Sequence, residues 1–337
     1  MMRALVIGGT GFIGLHVVDA LLHAGWTVRA TRRKSSPTLL LRKRPVEMVH
    51  ASLDDRGSLE RAMEGCDVVF LAAAHYPRYS LLGEHAVAHG VSGMRSACEA
   101  ARSVGVRRVV YSSSVAALGP GKSRATESDV GLPDESEGAY PTVKKAMEQE
   151  VDRARDAGLD IVSLLLGGCI GPWDLRLGTN GFLVALLRGV IPYWVNGLIH
   201  LVAVEDAARA HVAAAFAPRS RYLVAGHSLT VAQLIDRMVL RYDAPRPGPR
   251  LPLDEIRALA DAAEAAAAPR RERVALPREF VDIAALGRPI STVRAEKDLS
   301  MSWTPLDDAL DGTVEWLARH RYVTPNPAWK RSYHDAS

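Results

Sequence analysis

A short apolar run, Leu5-Val6-Ile7, leads straight into Gly8-Gly9-Thr10-Gly11-Phe12-Ile13-Gly14, and few folds accept that order of residues. The glycines are spaced Gly8-x-x-Gly11-x-x-Gly14. Glycine suits all three places when a strand must turn sharply, bare backbone must approach a phosphate, and a helix must pack tightly on its strand. The free N–H groups at the start of that helix, aided by the positive end of its dipole, then face a pyrophosphate. With an apolar strand before it and helical periodicity after it, the stretch reads as a nucleotide-binding turn rather than a plain tight turn. Gly8, Thr10, Gly11, Phe12, Ile13 and Gly14 are its candidate cofactor contacts.

The rest of the chain keeps alternating the two kinds of element. Ile13, Val17, Leu21 and Leu22 recur at helical spacing until Gly25. Strands are expected at 27–31, 46–50, 68–71, 108–111 and 161–166, the last a near-continuous apolar run suited to burial on both faces. Helices are expected at about 85–104 and 141–157. This alternation specifies an α/β fold with a doubly wound parallel sheet. Beyond residue 170 it loosens into short extended pieces, a Thr230-capped helix at 231–242, a proline-rich boundary from Pro245 to Pro252, an alanine-rich helix at 253–268 and a last helix near 306–319. The expected division is a dinucleotide-binding domain over 1–170, and over 171–337 a smaller substrate-binding region, some of whose elements return to the sheet.

At 337 residues, with 48% hydrophobic and 24% charged side chains, the chain has material for a large core and is not disordered. Its net charge of +4 arises from 42 basic and 38 acidic residues spread along the sequence, which does not suggest a nucleic-acid partner. Cys66, Cys98 and Cys169 are isolated and odd in number, so neither a disulfide framework nor a metal site is expected. No stretch reads as a transmembrane span, and the first residues are too short for a signal peptide's apolar core; a reducing cytoplasm is the expected setting.

Chemistry-bearing residues collect where the strands end. No acidic residue closes the second strand; Arg32-Arg33-Lys34 follow instead, favouring the 2′-phosphate of NADP(H) over NAD(H). An exposed basic loop, continued by Ser35-Ser36-Pro37, would read the same way. After the fourth strand, the small side chains of Ala72, Ala73 and Ala74 would let a cofactor lie near the backbone. Ser112-Ser113-Ser114 follow the fifth strand. Tyr140-Pro141-Thr142-Val143-Lys144 opens a helix, with Tyr140 expected at the cap and Lys144 one turn later on the same side.

The order and spacing of these features resemble the extended short-chain dehydrogenase/reductase family over most of the chain. Gly8-x-x-Gly11-x-x-Gly14 is similar to its cofactor turn, Tyr111-Ser112-Ser113-Ser114-Val115-Ala116-Ala117-Leu118-Gly119 to its catalytic-serine segment, and Tyr140-x-x-x-Lys144 to its active-site motif. Val293-Arg294-Ala295-Glu296-Lys297-Asp298-Leu299, followed by Trp303-x-Pro305, resembles its C-terminal signature. Within the family, the dihydroflavonol-reductase-like, hopanoid-associated and 3β-hydroxysteroid-dehydrogenase-like reductases are the most similar group. The resemblance implies a Rossmann-type sheet and an NAD(P)-dependent enzyme. It also implies roles: Ser114 holds the substrate oxygen, Tyr140 exchanges the proton, and Lys144 favours the phenolate and bonds the nicotinamide ribose. A homodimer through the helices at about 85–104 and 141–157 is implied as well.

Three departures stand out. Ala51-Ser52-Leu53 replaces the usual Gly-Asp-Leu, leaving Ser52 and Leu53 as the candidate adenine contacts. Gly90 stands where an asparagine often joins a proton relay, and Leu165-Leu166 replaces an Arg/Asn-Pro pair. His75, Tyr76, Trp173, Phe182 and Trp194, with Ser114, are candidate substrate contacts; Tyr79, Tyr193 and His200 lie in the same regions. Together they suggest an apolar or polycyclic ketone or alcohol. The expected activity is NADP(H)-dependent interconversion of a carbonyl and an alcohol on a hydrophobic, sterol- or terpenoid-like molecule. An NAD-dependent nucleotide-sugar epimerase or dehydratase, with Arg176 and Arg188 facing a second pyrophosphate, and a non-catalytic dinucleotide-binding regulator are the alternatives.

Overall fold

Alternating apolar runs and amphipathic segments become strands and helices in chain order. The computed structural model describes residues 1–73, 80, 83–121 and 123–326. The first half contains β1 (Arg3–Ile7), α1 (Phe12–His23), β2 (Thr27–Arg32), β3 (Glu47–His50), α2 (Arg56–Met63), β4 (Val68–Leu71), α3 (Gly83–Ser103), β5 (Arg108–Ser114), α4 (Ala139–Asp156) and β6 (Ile161–Leu166). There follow β7 (Gly168–Ile170), α5 (Thr179–Leu187), β8 (Leu198–Ala203), α6 (Val204–Ala214), β9 (Arg221–Val224) and β10 (His227–Thr230). The chain continues with α7 (Val231–Tyr242), α8 (Leu253–Ala267), α9 (Arg278–Leu286), α10 (Val293–Asp298) and α11 (Leu306–Arg319).

Seven strands pair in the order β3-β2-β1-β4-β5-β6-β9, every pair parallel. Crossovers cover both faces, so β4 and β6 are buried along their whole length and carry apolar residues without alternation. One face packs Val6, Val18, Leu21, Phe70 and Leu164 beneath α1 and α6. The other packs Leu5, Val69, Met94, Val143 and Met147 beneath α2, α3 and α4. The winding direction reverses between β1 and β4, which opens a crevice at the carboxyl ends of those strands. A separate three-stranded sheet, β10-β8-β7, sits with the C-terminal helices. Among the described residues, no helix is long and apolar enough to cross a membrane.

The second half of the chain also contributes to the main sheet. β9 pairs with β6, and its Arg221 donates to the buried Glu148 of α4 at 2.9 Å and to Asp152 at 2.6 Å. α7 is capped as its sequence indicates: Thr230 and Gln233 form a reciprocal capping box.

Two local expectations shift. β5 runs through Ser114, so the serine cluster lies inside the strand, where Ser112–Ser114 pair with Leu164–Leu166. α4 begins at Ala139, so Gly138, with φ of +93°, takes the cap position expected for Tyr140. Pro141 is still in the first helical turn, where a missing N–H removes no helical bond. The short elements β7, β10 and α9 carry too few residues to show a period.

Candidate active site

The cofactor crevice is built from backbone. Gly8 donates its N–H to Thr31 Oγ1 at 3.2 Å, and Gly11 donates to the Gly8 carbonyl at 2.8 Å, which closes the turn between β1 and α1. A side-chain carbon on Gly8 would stand 2.8 Å from the Ala73 nitrogen, and one on Gly14 would enter the Gly8 carbonyl oxygen. The cradle therefore admits no larger residue at either place. At the start of α1, Gly11 provides no side-chain cap and the first turn holds no acid, so the N–H groups of Phe12, Ile13 and Gly14 keep their affinity for an anion. These features fit a dinucleotide pyrophosphate. Gly14→Ala is expected to cost roughly 1–3 kcal/mol of stability through overpacking and to abolish dinucleotide binding, read by thermal unfolding with and without cofactor.

Around this turn, the other candidate cofactor residues take distinct positions. Ala72 and Ala73 follow β4 directly, with the Ala72 N–H bonded to the Ile7 carbonyl at 3.0 Å. Ala74, His75 and Tyr76 lie outside the described residues, as does Tyr79. Arg32 ends β2 and Arg33 is exposed beside it; among the described residues neither guanidinium forms an ion pair. Ser52 is engaged locally, donating from Oγ to Asp54 at 3.2 Å and from its N–H to Ser58 Oγ at 3.1 Å. Leu53 packs against α3 at Gly93.

At the carboxyl end of β5 a second cluster forms. Ser114 is buried, and its Oγ accepts from the Ala116 N–H at 3.1 Å and bonds the Tyr140 side chain. Lys144 follows Tyr140 by one turn of α4 and is also buried. Its Nζ lies 5.8 Å from the centre of the Tyr140 ring and 5.5 Å from that of Tyr111. Ser114, Tyr140 and Lys144 are thus brought together.

The electrostatics of this cluster follow from its dryness. Burial of the phenol oxygen pushes Tyr140 well above the ordinary tyrosine range; the charge of Glu279 adds to this and the bond with Ser114 opposes it. Burial brings Lys144 down to about 8, opposed by the carboxylates of Glu148 and Glu279. At neutral pH Tyr140 holds its proton and Lys144 is still mostly an ammonium. The phenol is held neutral chiefly by desolvation.

Residues 4–225 match the profile of the NAD dependent epimerase/dehydratase family, which covers the sheet, the glycine turn and the Ser114–Tyr140–Lys144 cluster. The chain belongs to that family. It is an NAD(P)-dependent enzyme of the extended short-chain dehydrogenase/reductase type, an oxidoreductase class. A Synechocystis sp. protein that carries the name of a dihydroflavonol 4-reductase is 32% identical over 94% of this chain and 95% of its own. Sterol demethylase protein B of Methylococcus capsulatus is 29% identical over 94% of this chain and 98% of its own. In three dimensions, a nucleoside-diphosphate-sugar epimerase from Pseudomonas aeruginosa superposes with a TM-score of 0.78 at 25% identity, over 96% of this chain and 99% of that one.

Among the described candidate substrate residues, Phe182 and Trp194 share one apolar cluster and Trp173 packs in others. Trp173, with φ of +70°, packs its ring 6.0 Å from Trp316 and 5.6 Å from His320, against α11. Phe182 meets Phe280 edge-on at 5.9 Å between two apolar clusters that also take in Tyr193, Val195 and Trp194. The Trp194 backbone bridges to Arg250. His200 is buried and structural, bonding Ser228 Oγ at 2.8 Å and the Arg288 carbonyl at 3.0 Å, and burial lowers its pKa.

Sequence reasoning missed the residues that tie the C-terminal helices to the site. Arg288 is buried and donates to the carbonyls of Gly119 at 3.1 Å, Pro120 at 3.2 Å and Ser123 at 3.0 Å, pinning the segment after β5. Glu264 of α8 is buried and accepts from the N–H groups of Ser80 at 2.7 Å and Arg278 at 2.9 Å. Glu279 of α9 places a carboxylate within electrostatic reach of both Tyr140 and Lys144. The signal available was small: charged residues in an otherwise alanine-rich or apolar C-terminal segment.

Proposed function

We propose that the protein is an NADP(H)-dependent reductase of a neutral, hydrophobic carbonyl compound, acting through Ser114, Tyr140 and Lys144 at the end of β5 and the start of α4. The observation that carries this reading is the convergence of those three side chains in a dry cluster. In this scheme residues 1–170, joined by β9, hold the dinucleotide, and the later helices cover the substrate. The pyrophosphate would rest on the Gly8–Gly14 turn and the N-terminus of α1, and the 2′-phosphate on Arg32 and Arg33. When bound, the reduced nicotinamide supplies the hydride. Ser114 holds the carbonyl oxygen, and Tyr140, protonated at neutral pH, donates its Oη proton to that oxygen as it becomes an alkoxide. The Lys144 ammonium then compensates the phenolate left on Tyr140, which regains a proton from solvent.

The apolar clusters around Phe182, Phe280 and Trp194 support a hydrophobic substrate, as do the names of the two relatives. Arg188 speaks against a second pyrophosphate, since its guanidinium is committed to the Tyr322 carbonyl at 2.8 Å. The family's name keeps one rival, an epimerase that retains NAD through turnover; NAD released from the purified, denatured protein would support it. Cofactor binding without turnover of any substrate would support a regulator. A homodimer through α3 and α4 belongs to the same reading and is tested by sedimentation equilibrium.

The cofactor assignment is tested by substitution. Replacing Arg32 and Arg33 together by alanine removes two charge-assisted contacts, expected to weaken NADPH binding by about ten- to a hundredfold and leave NADH binding nearly unchanged. Equal weakening of both cofactors, or of neither, contradicts NADP(H) selection at β2.

A further inference from the structure

Arg288 lies between α9 and α10, and all three of its guanidinium nitrogens are engaged by the segment that follows β5. Nε donates to the Ser123 carbonyl at 3.0 Å, Nη1 to the carbonyls of Gly119 at 3.1 Å and Pro120 at 3.2 Å, and Nη2 to Ser123 Oγ at 3.3 Å. The Asp129 carboxylate stands 3.5 Å from Nη2. A side-chain carbon on Gly121 would come within 2.8 Å of Nη1, so the backbone there closes directly on the cation. The Arg288 backbone is fixed as well. Its carbonyl can only accept, so His200 Nε2 donates to it at 3.0 Å, and His200 Nδ1 accepts from the Ser228 hydroxyl at 2.8 Å. Next to it, Ala125 donates to the Pro289 carbonyl at 2.6 Å and accepts from the Ser291 N–H at 2.9 Å.

The same segment touches both halves of the reacting cluster. Gly131 donates to the Ala117 carbonyl at 2.9 Å and Gly119 to the Asp129 carbonyl at 2.7 Å, so the backbone just after Ser114 is paired with 129–131. Gly131 in turn lies on α4: a side-chain carbon there would stand 3.0 Å from Lys145 Cε, and Lys145, next to Lys144, forms a buried ion pair with Glu137. We propose that Arg288 is a positioning residue for the reaction: its buried fork holds the segment after β5 in the shape that sets Ser114 against Tyr140 and Lys144. The inference rests on the carbonyl-reductase reading above. Three carbonyls, a hydroxyl and a carboxylate converge on a planar cation with five donors, a receptor that the single ammonium of lysine does not fill.

The test uses the full-length protein and the variants Arg288→Ala and Arg288→Lys, with an apolar ketone and rates expressed per NADPH-binding site. Arg288→Ala is expected to lower kcat about 10- to 100-fold, the loss that a small misplacement of reacting groups brings, and to change NADPH affinity less than about threefold. Millimolar methylguanidinium should restore most of that kcat, whereas methylurea, planar but uncharged, should not. Arg288→Lys should remain impaired. Wild-type kcat in Arg288→Ala, or a loss that methylguanidinium does not reverse, overturns the proposal. If Arg288→Ala does not fold, Arg288→Lys decides alone: reduced kcat with NADPH affinity kept supports the proposal, and wild-type kcat overturns it. A second readout needs no turnover. Hydrogen–deuterium exchange should rise at 115–131 and at the start of α4 in either variant, while α1 keeps its protection. If no variant, nor the wild type, reduces the ketone, the carbonyl-reductase reading fails. Exchange then decides separately: a rise confined to those segments supports the positioning by Arg288, and no rise, or a rise throughout the chain, overturns it.

Discussion

Tyr140→Phe is expected to lower kcat by about 10²- to 10⁴-fold, the range associated with a positioned acid–base group, while changing NADPH affinity less than about threefold. The ring contributes packing next to Lys144, and phenylalanine preserves it. Only the hydroxyl that bonds Ser114 is lost. Ser114 keeps its bond from the Ala116 N–H, so the end of β5 should hold its shape. Thermal unfolding should accordingly stay close to wild type. Steady-state kinetics with an apolar ketone, together with cofactor titration, distinguish this from a general loss of structure, which would reduce both.

Lys144→Met has the second large effect, and its sign differs between stability and activity. The folded-state pKa of Lys144 is lowered from 10.5 to about 8 by burial. The unfolded chain therefore holds this proton more tightly than the fold does. Below about pH 8 the native state carries the whole cost of an interior ammonium. Between about 8 and 10.5 that cost fades, and above 10.5 it is gone. Methionine fills a similar volume without charge, so the variant should be more stable at neutral pH by roughly 2–3 kcal/mol. The gain is partly offset because Glu148 and Glu279 lose an opposite charge, and it should shrink towards zero by pH 10.5. Turnover should collapse at the same time. For the wild type, carbonyl reduction should decline as pH rises through about 8, where the ammonium disappears. Urea unfolding at several pH values and a pH–rate profile read the two halves of this trade-off.

Much of this was legible in the sequence where the physics is local. The apolar run before Gly8 and the spacing to Gly14 specify a strand, a turn and a helix, because sterics at the turn leave little choice. Likewise, Tyr140 and Lys144 share one side of α4 because four residues make about one turn. Contacts between distant segments were not legible. Glu264 accepts from the Ser80 N–H across more than a hundred residues, and Arg288 reaches the Gly119 carbonyl over a similar distance. No spacing rule announces either. Gly90, a departure from the family pattern, has a packing reason visible only in three dimensions: a side-chain carbon there would stand 3.0 Å from Val143 Cγ1 on α4. That the Trp173 ring packs beside Trp316 and His320, far along the chain, is likewise visible only in three dimensions. A five-residue motif shows where the lysine stands but not how deeply the phenol is buried, and burial is the largest influence on Tyr140.

The most direct test is isotope transfer. With wild-type protein, deuterium-labelled NADPH and an apolar ketone, the label should appear on the carbinol carbon of the alcohol, and Tyr140→Phe should suppress that transfer by the same factor as kcat. Ketone reduction with no label at that carbon, or label transfer at an undiminished rate in Tyr140→Phe, would contradict a hydride-transfer site built from Ser114, Tyr140 and Lys144.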